Sequence, residues 1–143
     1  LNQPTNVNIN EILNDIPSSD FPVYIGGPVA KNSIQFIHTL GERIPKSIKI
    51  IEGLYWGGDF KEIIKLMKKD KISKKEIRFF AGYSGWGIDQ LNNEIREEGW
   101  IITNATKEYC MNYSTQNLWS EIIKTQKRKY AIWANLPKDP NLN

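Results

Sequence analysis

The chain has 143 residues, a length that suits one domain with a core of its own. A hydrophobic fraction of 40%, a charged fraction of 24% and an aromatic fraction of 11% exclude a disordered or low-complexity chain. Its 19 basic and 16 acidic residues leave a net charge of +3, too weak a bias to mark a nucleic-acid surface, and no apolar run reaches the roughly 20 residues of a membrane span.

Asn8 is placed to cap a short helix over residues 8–16, because Ile9, Ile12, Leu13 and Ile16 recur at helical spacing before Pro17. Residues 23–25 predict a strand that runs into Gly26-Gly27-Pro28. Alternation over 33–39 predicts a second, with Ile34, Phe36 and His38 on one face. Further strands are expected over 47–51 and 54–56. Asp59 and Glu62 form a capping-box pattern that opens a helix with Phe60, Ile63, Ile64 and Met67 on its apolar face. The dense apolar run 77–81 predicts a central strand, feeding a glycine-rich turn over 82–87. A helix carrying Ile88, Leu91 and Ile95 follows and ends at Gly99. Short strands are expected over 100–103 and 109–111. Ser114 or Thr115 then caps a helix with Leu118, Trp119, Ile122 and Ile123 inward, and a last strand covers 129–134. Without strict βαβ alternation, this order predicts one α+β domain over residues 1–143.

The turn Gly82-Tyr83-Ser84-Gly85-Trp86-Gly87 holds the densest candidate chemistry. It is not a nucleophile elbow, because Trp86 stands where Gly-x-Ser-x-Gly needs a small residue two after the serine. Its glycine spacing matches neither a dinucleotide fingerprint nor a P-loop. Backbone amides at a helix start can attract anions, and glycines can equally serve chain reversal alone. Gln90 and Glu94 lie four apart, on one face of the following helix, where they can tie it to a neighbouring loop. His38, the one histidine, lacks the partners that a metal site or a general base needs, and no cofactor or metal is implied. Cys110, the one cysteine, cannot form an internal disulfide, and it reads as a buried thiol of a reducing cytoplasm. Trp119 reads as core; Trp56, Trp86, Trp100 and Trp133 read as core plugs or ligand walls, with core plugs expected for at least half.

Gly26-Gly27-Pro28, residues 53–60, residues 82–91 and the ending Asp139-Pro140-Asn141-Leu142-Asn143 together resemble the YqgE/AlgH family. So does the pattern Gly-Trp-x-x-Gln-Leu-x-x-Glu, here Gly85 to Glu94, except that Ile88-Asp89 replaces the Pro-Gly usual before the Gln. The resemblance implies a mixed, forked sheet curled toward a barrel with helices packed outside. It also implies an N-terminal stretch that precedes Leu1-Asn2-Gln3-Pro4-Thr5 in other members. Relatives often carry Ala at the place of Ser84, which argues against a serine nucleophile, and they carry a His in a strand like that of His38. The family has no settled activity, and a transcriptional-regulator role is attached to some members.

The expected function is therefore a non-enzymatic, cytoplasmic binding or regulatory module. It would act through a small ligand or protein partner at a pocket joining Gly26, Gly27, Pro28, His38, Tyr55, Trp56, Gly82, Ser84, Gly85, Trp86, Gln90 and Glu94. The alternative is a hydrolase or transferase acting on a small anionic substrate at the glycine turn, with His38 as base and Asp59 or Glu94 assisting. A third reading, nucleic-acid binding through the Lys-rich stretches 65–75 and 124–129, lacks the aromatic interleaving and helix-turn-helix pattern it needs. Self-association through exposed strand edges is also expected.

Overall fold

The apolar run at Ile77 becomes β6 (Ile77–Tyr83), paired on both edges and buried on both faces. The computed structural model describes residues 3–13, 16, 20–111 and 118–126. Across its six-stranded sheet the order is β1 (Pro4–Asn8), β2 (Pro22–Ile25), β6, β3 (Val29–His38), β5 (Leu54–Trp56) and β4 (Ile48–Ile51). Among the described strands only β2 and β6 run parallel; every other pair is antiparallel. Among the described residues the sheet is mixed and open, with β1 and β4 at its edges, and the α+β fold is as expected.

Period-two alternation along β6 sorts its side chains between two cores. Ile77, Phe79 and Ala81 meet Val23, Phe36, Ile63 and Met67 on one face. On the other, Phe80 meets Tyr24, Ile37, Leu54, Cys110 and Met111. Arg78 is fully buried on that second face. Its guanidinium lies 4.0 Å from the centre of the Tyr24 ring and donates to the Cys110 carbonyl at 2.8 Å. A cation held against a π face and a carbonyl is tolerable where an isolated one is not.

Helix α1 (Ile9–Ile12) starts as its cap pattern directs, the Asn8 N–H donating to the Glu11 carboxylate at 2.8 Å. It stops four residues short of Ile16, because Leu13 is already extended. Helix α2 (Phe60–Lys68) is capped by Asp59, whose carboxylate accepts from the Lys61 N–H at 2.9 Å, and it buries Ile63 and Met67. The Glu62 half of the expected box turns outward to Lys65 instead. Helix α3 (Gln90–Arg96) buries no residue at all, and Ile88 precedes it, almost wholly exposed.

Two expected strands are absent. Residues 100–106 adopt no regular structure, since their β-prone side chains find no ladder partner among the described residues. The stretch at 109–111 is instead part of α4 (Lys107–Met111), whose start the Thr106 hydroxyl caps by accepting from the Tyr109 N–H at 3.2 Å. Helix α5 (Leu118–Lys124) turns Leu118 and Ile123 inward as expected but leaves Trp119 exposed. The caps expected at Ser114 or Thr115, Pro17 and the strand over 129–134 lie outside the described residues.

Candidate functional site

Two glycine segments cross where β2 and β6 end. Gly82 has φ +70°, and a Cβ there would stand 2.6 Å from the Gly27 carbonyl oxygen. A Cβ on Gly26 would stand 2.1 Å from the Gly82 oxygen, so only glycines permit this approach. Gly85 and Gly87 are different: neither takes a positive φ, and added Cβ atoms would meet nothing closer than 3.4 Å. Of the three turn glycines, only Gly82 is demanded by the backbone.

Beside the crossing lies a groove of about 540 Å³, lined by Gly26, Gln35, Ile37, Trp56, Phe80, Gly82, Tyr83 and Ser84. Four of the expected pocket residues meet there: Gly26, Trp56, Gly82 and Ser84. Gln35, Ile37, Phe80 and Tyr83 escaped the sequence reading because strand alternation marks them only as core or surface. Among the described residues no Asp, Glu, Lys, Arg or His lines the groove, so its polar chemistry comes from the Gln35 amide, the Tyr83 and Ser84 hydroxyls, the Trp56 indole N–H and the backbone. A second groove of about 550 Å³ shares Gln35 and Trp56 with the first and runs on past Ile34, Phe36, Ile48 and Phe60.

His38 lies beneath this surface, fully buried, and lines neither groove. Its Nδ1 accepts from the Leu40 N–H at 3.2 Å, which places the proton on Nε2. Nε2–H then faces the Gly57 carbonyl at 3.1 Å and the Ser47 hydroxyl oxygen at 3.0 Å, while that hydroxyl donates to the Ile44 carbonyl. The ring stacks on Tyr55 at 5.7 Å and on Phe36 at 5.9 Å. Burial holds its pKa below the ordinary 6.5, with the Gly57 bond working the other way. Its bonded partners are Leu40, Ser47 and Gly57; neither Asp59 nor Glu94 is among them. Tyr55 lines a smaller hollow with Gly41 and Ser47 rather than the main groove.

Gln90 and Glu94 form a separate cluster. The Gln90 side chain accepts from the Gly87 N–H at 2.9 Å and donates to Glu94 Oε1 at 2.8 Å. Glu94 Oε2 accepts both indole N–H groups, Trp86 at 3.1 Å and Trp100 at 2.7 Å. Donation from Trp100, Gln90 and Trp86 holds the Glu94 carboxyl below its ordinary pKa. The sequence placed Gln90 and Glu94 as ties to a loop, and they are; Trp100 was missed because it lies beyond the helix. Of the backbone amides at this turn, that of Gly87 is occupied by Gln90 rather than open to an anion.

The tryptophans depart most from expectation. Trp56, Trp86, Trp100 and Trp119 are all exposed, between 38% and 52%, so the described ones are surface residues rather than core plugs; Trp133 lies outside the described residues. Cys110 is buried as expected, and burial raises its pKa, against the opposing charge of Arg78. Among the described residues, no group of three or more His, Cys, Asp or Glu side chains is placed to hold a metal, and no helix is long and apolar enough to cross a membrane.

A family model described as AlgH-like matches residues 1–131. The chain is 36% identical over 143 residues to a UPF0301 protein of Chlorobium limicola, covering 100% of this chain and 76% of that one. To a UPF0301 protein of Bacteroides fragilis it is 38% identical over 144 residues, covering 100% of this chain and 73% of the relative. Its fold is similar to the solution structure of the AlgH protein from Pseudomonas aeruginosa, with a TM-score of 0.72 at 18% identity over 96% of this chain and 76% of that one. A crystal structure of a Corynebacterium diphtheriae protein gives 0.70 at 18% identity, over 94% and 73%. The match to the family model and the level of these identities agree with the Trp-Gln-Glu pattern and the paired glycines: the chain belongs to the AlgH-like family.

Proposed function

We propose that the protein is a non-enzymatic binding module whose groove between Trp56 and the Gly26/Gly82 crossing takes a small, uncharged, ring-bearing ligand and passes its presence to a protein partner. The groove itself carries this reading. Ile37, Phe80, Trp56 and Tyr83 offer apolar and aromatic walls, and Gln35 and Ser84 offer neutral hydrogen bonds. Its volume suits a metabolite-sized ligand. An anionic ligand finds no cationic side chain among the described lining residues. The hydrolytic alternative asks for a carboxylate bonded to His38, and that ring is bonded to Ser47, Gly57 and Leu40 instead. Any regulation of transcription would accordingly run through the ligand or the partner rather than through direct contact with DNA.

Amide chemical-shift mapping against a panel of neutral aromatic and heterocyclic metabolites tests the reading. Hits should move Gly26, Gln35, Tyr83 and Ser84 together and should be lost in Trp56→Ala and Tyr83→Ala, both exposed enough to leave the fold intact. Shifts that map elsewhere, or that survive both substitutions, would refute it.

A further inference from the structure

The segment 84–106 leaves the sheet as an exposed excursion, and it differs in charge from the rest of the chain. It carries Asp89, Glu94, Glu97 and Glu98 against Arg96 alone, a net of −3 in a chain of +3. Arg96 is directed to Asn93 Oδ1 at 2.7 Å and the Asn92 carbonyl at 3.3 Å. At the centre of this acidic segment the Trp86 and Trp100 rings meet at 71°, centroids 5.6 Å apart, and remain 38% and 45% exposed.

Both indole N–H groups are committed to Glu94. The rings therefore have no polar donor left to offer, and what they present outward is π face and ring edge. Glu94 accepts three hydrogen bonds, two on Oε2 and one on Oε1, which leaves Oε1 able to accept another. Two indoles at a steep angle, fixed to a common carboxylate, make two walls of an aromatic corner with a negative charge at its root. Indole faces attract cations through the ring quadrupole, and cages of this composition recognise alkylammonium and guanidinium groups.

We infer that the Trp86–Trp100 corner, rooted on Glu94, is a binding site for an organic cation, either a free alkylammonium or the side chain of an Arg or Lys on a partner peptide. It shares no lining residue with the groove of the proposed function and stands or falls separately from it.

The test follows the indole N–H resonances of Trp86 and Trp100 in the whole chain during titration with choline, and separately with acetyl-Gly-Arg-Gly-amide. The uncharged choline isostere 3,3-dimethyl-1-butanol is the control. Saturable shifts of these two resonances by a cation, with the isostere at least about threefold weaker, are expected from the strength of exposed cation–π contacts. Tighter binding of choline points to a free ligand, tighter binding of the tripeptide to a protein source; both support the site. Trp86→Phe should weaken binding about two- to fivefold and Glu94→Gln by at least as much, with amide spectra showing both folded. Equal shifts with the isostere, no shift with either cation up to tens of millimolar, or undiminished binding in Glu94→Gln would overturn the proposal.

Discussion

The sheet and the segment 84–106 are held together by opposite means. In the sheet, β6 is paired on both sides and stacked between two apolar cores, and its buried cation, Arg78, is met by a ring and a carbonyl. In the segment 84–106 nothing apolar is fully buried, and the order comes from one carboxylate gathering Trp86, Trp100 and the Gln90 that in turn holds Gly87. Burial makes a region stable everywhere at once. A surface hydrogen-bonded clasp makes it ordered but leaves its aromatic faces in solvent. The second arrangement leaves the Trp86 and Trp100 faces open, as the proposed cation site requires.

The largest effects should come from breaking the sheet side of this contrast. Gly82→Ala adds a Cβ 2.6 Å from the Gly27 oxygen at a residue with φ +70°, combining backbone strain with overpacking. A loss of about 3–5 kcal/mol in urea unfolding is expected. A loss under about 1 kcal/mol would mean that the crossing relaxes easily and is no keystone. His38→Phe comes next: it strands the Leu40 N–H and takes one donor from the Gly57 carbonyl, which keeps the Ser47 hydroxyl at 3.3 Å, and about 1–3 kcal/mol is expected. The wild-type pH profile carries a signature of the same residue. A histidine whose folded pKa lies below its unfolded 6.5 contributes stability that is fully present above 6.5 and lost as pH falls toward the folded value. Stability should therefore decline below pH 6.5 in the wild type, and that part of the slope should vanish in His38→Phe.

On the other side, Glu94→Ala should release the clasp without unfolding the sheet. Amide exchange should quicken across 84–106 and stay unchanged in β6, which a coupled, fully cooperative unit would not permit. Acid should do the same reversibly. The Glu94 carboxyl has a folded pKa below its ordinary 4.5, so its contribution is present above 4.5 and lost as pH falls through the folded value. The Trp86 and Trp100 indole signals should move together in that window.

How legible the two regions were in the sequence follows from the same physics. Burial leaves periodic traces, so β2, β5, α2 and the central place of β6 could be read from apolar spacing and from Asp59. Arg78 hid inside such a run, because its partners lie in β2 and α4, far off in sequence. The clasp was half legible: Gln90 and Glu94 are four apart on one helix, whereas Trp100 sits beyond the helix end in a stretch whose Trp-Ile-Ile-Thr composition imitates a strand. The groove was legible only through its glycines, Trp56 and Ser84, since strand residues such as Gln35 and Ile37 declare a face but not what lies above it. The tryptophans misled because size suggests burial, while their N–H groups allow them to be anchored at a surface instead.

The smallest expected effects are gains. Asp89 stands at the place where the family pattern usually has Gly, and it takes φ +60°, the left-handed conformation that glycine adopts without a Cβ penalty. At the other end of α3, Gly99 donates to the Glu94 carbonyl at 2.8 Å and Glu98 to the Ile95 carbonyl at 3.1 Å. That pair of bonds is a Schellman ending in which the left-handed residue, at φ +57°, is Glu98 and not the glycine beside it. The sequence placed the stop at Gly99, one residue late. Asp89→Gly should steady the segment 84–106 by about 0.5–1 kcal/mol, with slower amide exchange there and little change in the melting of the sheet. If it instead speeds exchange, the left-handed turn is held by the Asp89 side chain, and the clasp around Glu94 is not what orders the segment. The substitution also separates order from recognition: a steadier corner should hold a cation at least as well as the wild type.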